Sequence, residues 1–202
     1  MADALTIIPE NRRSGAHPVL GYVGALVAGF AASVALTAPL SHSYAVWVWE
    51  WFAIAVFAAC GLLMAGHDLR SKRLPDRLTL GLAAVLAGGV LAVAVTSDAG
   101  FQAVAAIAGG LGLAVILALI GLAGQMGFGD VKLALSVGIL TGWHTWYLPA
   151  VALAVAFLLA FPFAAIAAVR RVRRAPIGND MPFGPYLIAG GLAVAVVAPL
   201  AS

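Results

Sequence analysis

Two aspartates stand where an apolar chain has few reasons to carry charge: Asp68 in GHDLRSKRLPDRLTL and Asp130 in GQMGFGDVKL. Each falls at the edge of an apolar run, where ionisable side chains are rare and usually functional. An aspartate at a helix end also serves as an interfacial cap, so the neighbours carry the argument. Asp130 closes a GxGD tetrapeptide, Gly127-Phe128-Gly129-Asp130, whose glycines let a second backbone approach closely and suit an extended peptide. Asp68 opens a D-x6-P-D-x2-T pattern completed by Pro75, Asp76 and Thr79, and a third segment, Pro182-Phe183-Gly184-Pro185, opens the last apolar run. Two carboxyl groups sharing a confined site cannot both ionise easily. The ionised one takes a proton from water as it attacks a scissile carbonyl, and the neutral one donates to the carbonyl oxygen and then to the leaving amine. Which aspartate takes which role stays open, since such a pair titrates as a unit.

Other chemistries fit less well. His67 adjoins Asp68, while His17, His42 and His144 are scattered, and no HExxH-like spacing sets two ligands on one helix face, so no metal is expected. Neither Ser71 nor Ser136 sits in a Gly-x-Ser-x-Gly elbow. Cys60, the single cysteine, lies in an apolar run and reads as a packing residue. Glu50 precedes Asp68 by 18 residues, or ~27 Å of helix, which sends it to the far side of the membrane.

The elements that must position the aspartates follow from composition. A chain of 202 residues that is 63% apolar and 9% charged does not make a water-soluble core, because globular domains carry about 25% charged residues. Apolar segments at 18–38, 45–67, 78–96, 102–125, 131–145, 147–169 and 183–201 predict about seven helices, since a lipid-exposed backbone must satisfy its own hydrogen bonds. The fifth segment is short enough to tilt, to stay short, or to continue into the sixth. The expected organisation is a polar tail over residues 1–17 and one all-α, polytopic membrane helix bundle over 18–202. The first apolar stretch is longer than a secretory signal core and is followed by many spans, so cleavage is not expected.

All 11 basic residues fall on one side if the N-terminus is cytoplasmic: Arg12 and Arg13, then Arg70, Lys72, Arg73 and Arg77, then Lys132, then Arg170, Arg171, Arg173 and Arg174. Residues 39–44, 97–101 and 142–147 hold none, as the positive-inside rule asks of outer loops. The basic residues are therefore topology signals, and no nucleic-acid partner is expected. The last cluster reads as stop-transfer or as a seat for anionic lipid headgroups. Trp47, Trp49, Trp51, Trp143, Trp146 and Tyr147 are expected in an aromatic belt at the outer interface. Both aspartates fall on the cytoplasmic side.

The three motifs, in this order and in a chain of this topology, resemble the type IV prepilin peptidases, GxGD-type membrane aspartic proteases. The resemblance covers about 61–190 and maps the family's two catalytic aspartates onto Asp68 and Asp130; Lys132-Leu133 continues the second motif and Pro182 to Pro185 match the third. It implies an enzyme that cleaves the basic leader from type IV, Flp-like prepilins at the cytoplasmic face of a bacterial inner membrane, without a cofactor. It also implies that Asp76 and Asp180, placed in cytoplasmic loops, are either solvated or receive the leader's basic residues. Larger members carry a cytoplasmic region with paired cysteines linked to N-methylation. Its lack here points to the short, peptidase-only form. Two rivals remain: a small transporter or structural membrane subunit binding a proton or cation at Asp68 and Asp130, and a presenilin-like protease, against which the lack of a PAL motif speaks. The oligomeric state is not legible.

Overall fold

The computed structural model describes residues 18–37, 40, 42–71, 76–122, 127–172 and 183–201 of the chain, with the side chains of 68–71 and of several other helix-end residues outside the description. Seven helices account for nearly all of them: α1 (Pro18–Thr37), α2 (His42–Ser71), α3 (Asp76–Thr96), α4 (Gly100–Leu122), α5 (Phe128–Gly142), α6 (Leu148–Val172) and α7 (Gly184–Ala201). Five contain stretches long and apolar enough to cross a bilayer, Val19–Thr37, Tyr44–His67, Asp76–Thr96, Gly100–Leu122 and Leu148–Ile166, and the apolar stretch of α7, Gly184–Leu200, is shorter. The chain is a helical, multi-pass membrane bundle.

α5 is a separate helix of 15 residues that stops at Gly142, ~22 Å against a hydrocarbon thickness of ~30 Å. A turn through 143–147 leads into α6, with the His144 amide donating to the Thr141 carbonyl and the Leu148 amide to the Thr145 carbonyl. α5 can be this short because it is an inside helix. It packs on α3, α4, α6 and α7, and every residue from Ser136 to Gly142 is buried.

The closest packing is made by small residues. A Cβ on Gly138 would lie 2.6 Å from the Gly110 Cα, and one on Gly142 would lie 2.8 Å from the Ala105 carbonyl oxygen, so α4 and α5 touch backbone to backbone. α1 meets α3 in the same way, through Gly29 against Val85 and Gly88 against Leu26. Lipid tails are as apolar as leucine, so burial alone gives membrane helices no reason to associate; close van der Waals approach does. The outward faces carry Leu111, Val115 and Leu119 of α4 and Leu158 and Phe161 of α6, all exposed and suited to hydrocarbon.

The aromatic belt needs correction. Trp47, Trp146 and Tyr147 are exposed as expected, but Trp49 and Trp143 are buried among helices, their rings edge to face at 6.4 Å.

Candidate active site

Asp130 is the third residue of α5, in its first turn, with Gly127 at the N-cap. Its amide donates to the Gly127 carbonyl at 3.1 Å, and a carboxyl here interacts favourably with the positive end of the helix dipole. The Asp130 residue is only 7% exposed, whereas Gly127 and Phe128 are exposed and Gly129 is half-buried. The GxGD motif therefore turns its acid into the bundle and its first residues outward. Gly127 has φ −77 and ψ 145, and a Cβ there would meet nothing within 4 Å. Neither conformation nor crowding among the described residues explains that glycine.

Lys132, two residues on, points elsewhere. Its Nζ lies 2.6 Å from Asp76 Oδ1. Asp76, expected in a loop, is instead the first residue of α3, where the helix dipole favours it. One turn further along, the Ser136 hydroxyl donates to the Thr79 carbonyl at 3.4 Å, and the Thr79 hydroxyl donates back to the Asp76 carbonyl at 3.2 Å. Thr79 and Ser136 are both fully buried. The starts of α3 and α5 are thus laced by an ion pair at the rim and a hydroxyl bond inside. The second aspartate of D-x6-P-D-x2-T has its charge matched within the protein.

Levels along the bundle can be read from the helix contacts. On α7, a Cβ at Gly191 would touch Val137 of α5 at 3.1 Å and the Phe57 ring of α2 at 3.7 Å, and a Cβ at Gly61 of α2 would meet Ile188 at 2.8 Å. α5 and α7 run the same way, both opposed to α6. Asp130 precedes Val137 by seven residues and Gly184 precedes Gly191 by seven, so the two share a level ~10 Å from that contact. Asp68 follows Phe57 by 11 residues on the opposed α2, ~16 Å in the same direction, so its backbone is within about one helical turn of that level. Its side chain lies outside the described residues, as do Pro75, Asp180 and Pro182, and with them the separation of the two carboxyls.

Phe183 and Gly184 open α7 differently from expectation. The prolines and glycine of 182–185 suggest backbone groups left unpaired at the mouth of the last helix, yet the Phe183 carbonyl accepts from the Tyr186 and Leu187 amides at 3.1 Å each. Its ring packs on Phe157 of α6 at 5.1 Å. Gly184 is buried and Pro185 half-buried, so this segment seats α7 on α6. Among the described residues no three His, Cys, Asp or Glu side chains gather as a metal ion would require.

One polar group escaped the sequence reading except by location. Glu50, at the opposite end of the bundle, accepts a hydrogen bond from Trp143 Nε1 at 3.3 Å and has His144 Nδ1 at 3.5 Å. The signal was an acid inside an otherwise apolar run; its partners were 93 residues away.

Residues 55–169, which include Asp68 and Asp130, match the type IV leader peptidase family. Proteins named prepilin leader peptidase/N-methyltransferase from two strains of Burkholderia pseudomallei are each 37% identical over 150 residues, covering 70% of this chain and 45% of theirs. The chain thus spans less than half the length of these relatives. Leader peptidase HopD of Salmonella typhimurium is 34% identical over 140 residues, covering 67% of this chain and 86% of that protein. No solved structure matches the chain.

Proposed function

Because the chain belongs to the type IV leader peptidase family, we propose that it is a membrane aspartic endopeptidase that removes the leader from prepilin-like precursors. The observation that carries the reading is a buried Asp130 at the head of α5, on a level with the start of α7 and within about a turn of Asp68 along the bundle axis. Residues 18–202 form the peptidase domain, with the polar tail and all 11 basic residues on the cytoplasmic side of the inner membrane. The substrate chain passes along the outward-facing Gly127 and Phe128, where a glycine without steric need leaves room for an extended backbone.

In the proposed reaction the ionised member of the Asp68–Asp130 pair takes a proton from water as the oxygen attacks the scissile carbonyl. The neutral member donates to the developing alkoxide, and the shared proton then passes to the leaving amine. Burial from bulk water strengthens these interactions over what they are worth at a surface. Lys132 and Asp76 hold α3 and α5 in register beside the site, and Gly129, Thr79 and the 182–185 segment support it. Asp180, a loop acid by sequence, is either solvated or attracts the leader's basic residues by charge complementarity. The chemistry uses no cofactor and no metal.

The test is co-expression with a Flp-type prepilin and a gel shift for leader loss. Asp68→Asn and Asp130→Asn each abolish the shift while the protein stays in the membrane, because an amide keeps the volume and cannot relay the proton. Full cleavage by either variant removes the aspartic mechanism. A proton or cation flux lost in the same variants, with no cleavage by the wild type, puts a transporter in its place.

A further inference from the structure

At the end of the bundle away from the aspartates, one carboxyl group is kept inside a membrane span. Glu50 of α2 has a side chain only 14% exposed and His144 one of 11%. The acid accepts from the Trp143 indole, the Trp143 ring meets that of Trp49, and Trp49 in turn fills the space over Gly89 of α3. A small cavity beside the group is lined by Leu86 and Val90 of α3 and Ile139 and Leu140 of α5. An acid in such surroundings is unfavourable unless its partners hold it. Its place in the fold indicates what the arrangement accomplishes. α2 and α5 carry the two aspartates, yet they touch each other least of all the packed helix pairs, with α3 and α7 lying between them.

We infer that Glu50, Trp143 and His144 are positioning residues that pin α2 directly to α5 and thereby set how Asp68 and Asp130 face each other. The inference rests on the peptidase reading above. Trp143 follows Asp130 by 13 residues and Glu50 precedes Asp68 by 18, so the pin acts across ~20 to ~27 Å of helix. A helix turns as a unit. Rotation of α5 by ~20° about its axis carries a carboxylate ~6 Å from that axis through ~2 Å. Misplacement by ~1 Å is enough to lower a positioned reaction by ~100-fold.

The test joins kinetics to a distance. A purified Flp-type prepilin in detergent micelles supplies kcat and KM. Spin labels at Gly66→Cys and Phe128→Cys, in a Cys60→Ala background, report the separation of α2 and α5 at the aspartate end; both positions are exposed. Glu50→Ala and Trp143→Phe each lower kcat by ~10- to 100-fold with KM within about twofold, and both broaden the label distances. Glu50→Gln, whose amide oxygen still accepts from the indole, restores both. Unchanged kcat and distances in Glu50→Ala and Trp143→Phe overturn the inference. Equal failure of Glu50→Gln, with thermal unfolding lowered in step, makes the cluster a requirement of folding and overturns it too. The distances read the pin even in a protein that cleaves nothing, so failure of the peptidase reading is told apart from failure of this one.

Discussion

Replacing Gly138 by alanine tests whether the seam between α4 and α5 holds Asp130 in place. The new methyl would sit 2.6 Å from the Gly110 Cα and also against the Gly109 carbonyl, where ordinary contact begins at about 3.4 Å. Both neighbours are backbone atoms of a packed helix, so the strain is relieved only by moving α5 away by just under ~1 Å. Overpacking of this kind costs about 1–3 kcal/mol, offset by the ~1 kcal/mol that alanine gains over glycine inside a helix. The net loss of ~0–2 kcal/mol lowers the melting point by no more than roughly 8 °C. Activity responds more steeply, because a shift of ~1 Å at a positioned acid lowers the rate by ~10- to 100-fold. The control is Gly112→Ala on α4, where a Cβ meets nothing within 4 Å; it keeps wild-type cleavage and gains up to ~1 kcal/mol of stability. Thermal unfolding in detergent and prepilin cleavage by both variants decide the matter. Gly138→Ala with wild-type kcat would refute the claim that this contact sets the position of the acid.

Cysteine labelling from either side of the membrane is expected to place 68–77, 126–132 and 170–182 in the cytoplasm; labelling of 70–77 from outside would overturn the topology and the mechanism with it. The Lys132–Asp76 pair is partly open to solvent, Asp76 being 61% exposed, so a double-mutant cycle with Lys132→Ala and Asp76→Ala should read a coupling of only ~0.2–1 kcal/mol in unfolding. Burial holds the His144 imidazole below the usual histidine range. The unfolded chain therefore binds the proton first as pH falls, and stability present above the ordinary histidine pKa of about 6.5 is lost on acidification toward the lowered folded value. Melting points measured from pH 7.5 to 5 should fall less in His144→Gln than in the wild type, and parallel curves would count against a buried neutral imidazole.

Much of this bundle was legible because apolar length and charge segregation are properties of local sequence. All seven helices lie where the apolar runs put them, α2 running from His42 to Ser71 against an expected 45–67. Pairing across the chain was not legible. Asp76 looked like a loop acid because its partner, Lys132, follows it by 56 residues, and Trp49 and Trp143 looked like belt residues because nothing in composition distinguishes a tryptophan facing lipid from one packed against a glycine of α3. The backbone of Phe183 looked free because prolines flank it; the amides of Tyr186 and Leu187 answer its carbonyl. At the proposed site, the motifs singled out Asp130 through its neighbours, and its burial became visible only in three dimensions.

The shortness of α5 bears on how the chain enters its membrane. From Ser136 onward α5 has no side open to lipid, it is ~22 Å long, and it carries Asp130 and Lys132 near its start. Such a segment is a poor candidate to partition by itself, because it is shorter than the ~30 Å hydrocarbon layer and carries two charged residues within its first five. α4, made just before it, is the most hydropathic of the five spans and offers the glycine seam on which α5 rests. The two are therefore expected to leave the translocon as a hairpin, with α5 already joined to its neighbour. Mutations along that seam would then appear first as a defect in biogenesis, with α5 stranded at the interface and the nascent chain exposed to quality-control proteases before the bundle has formed.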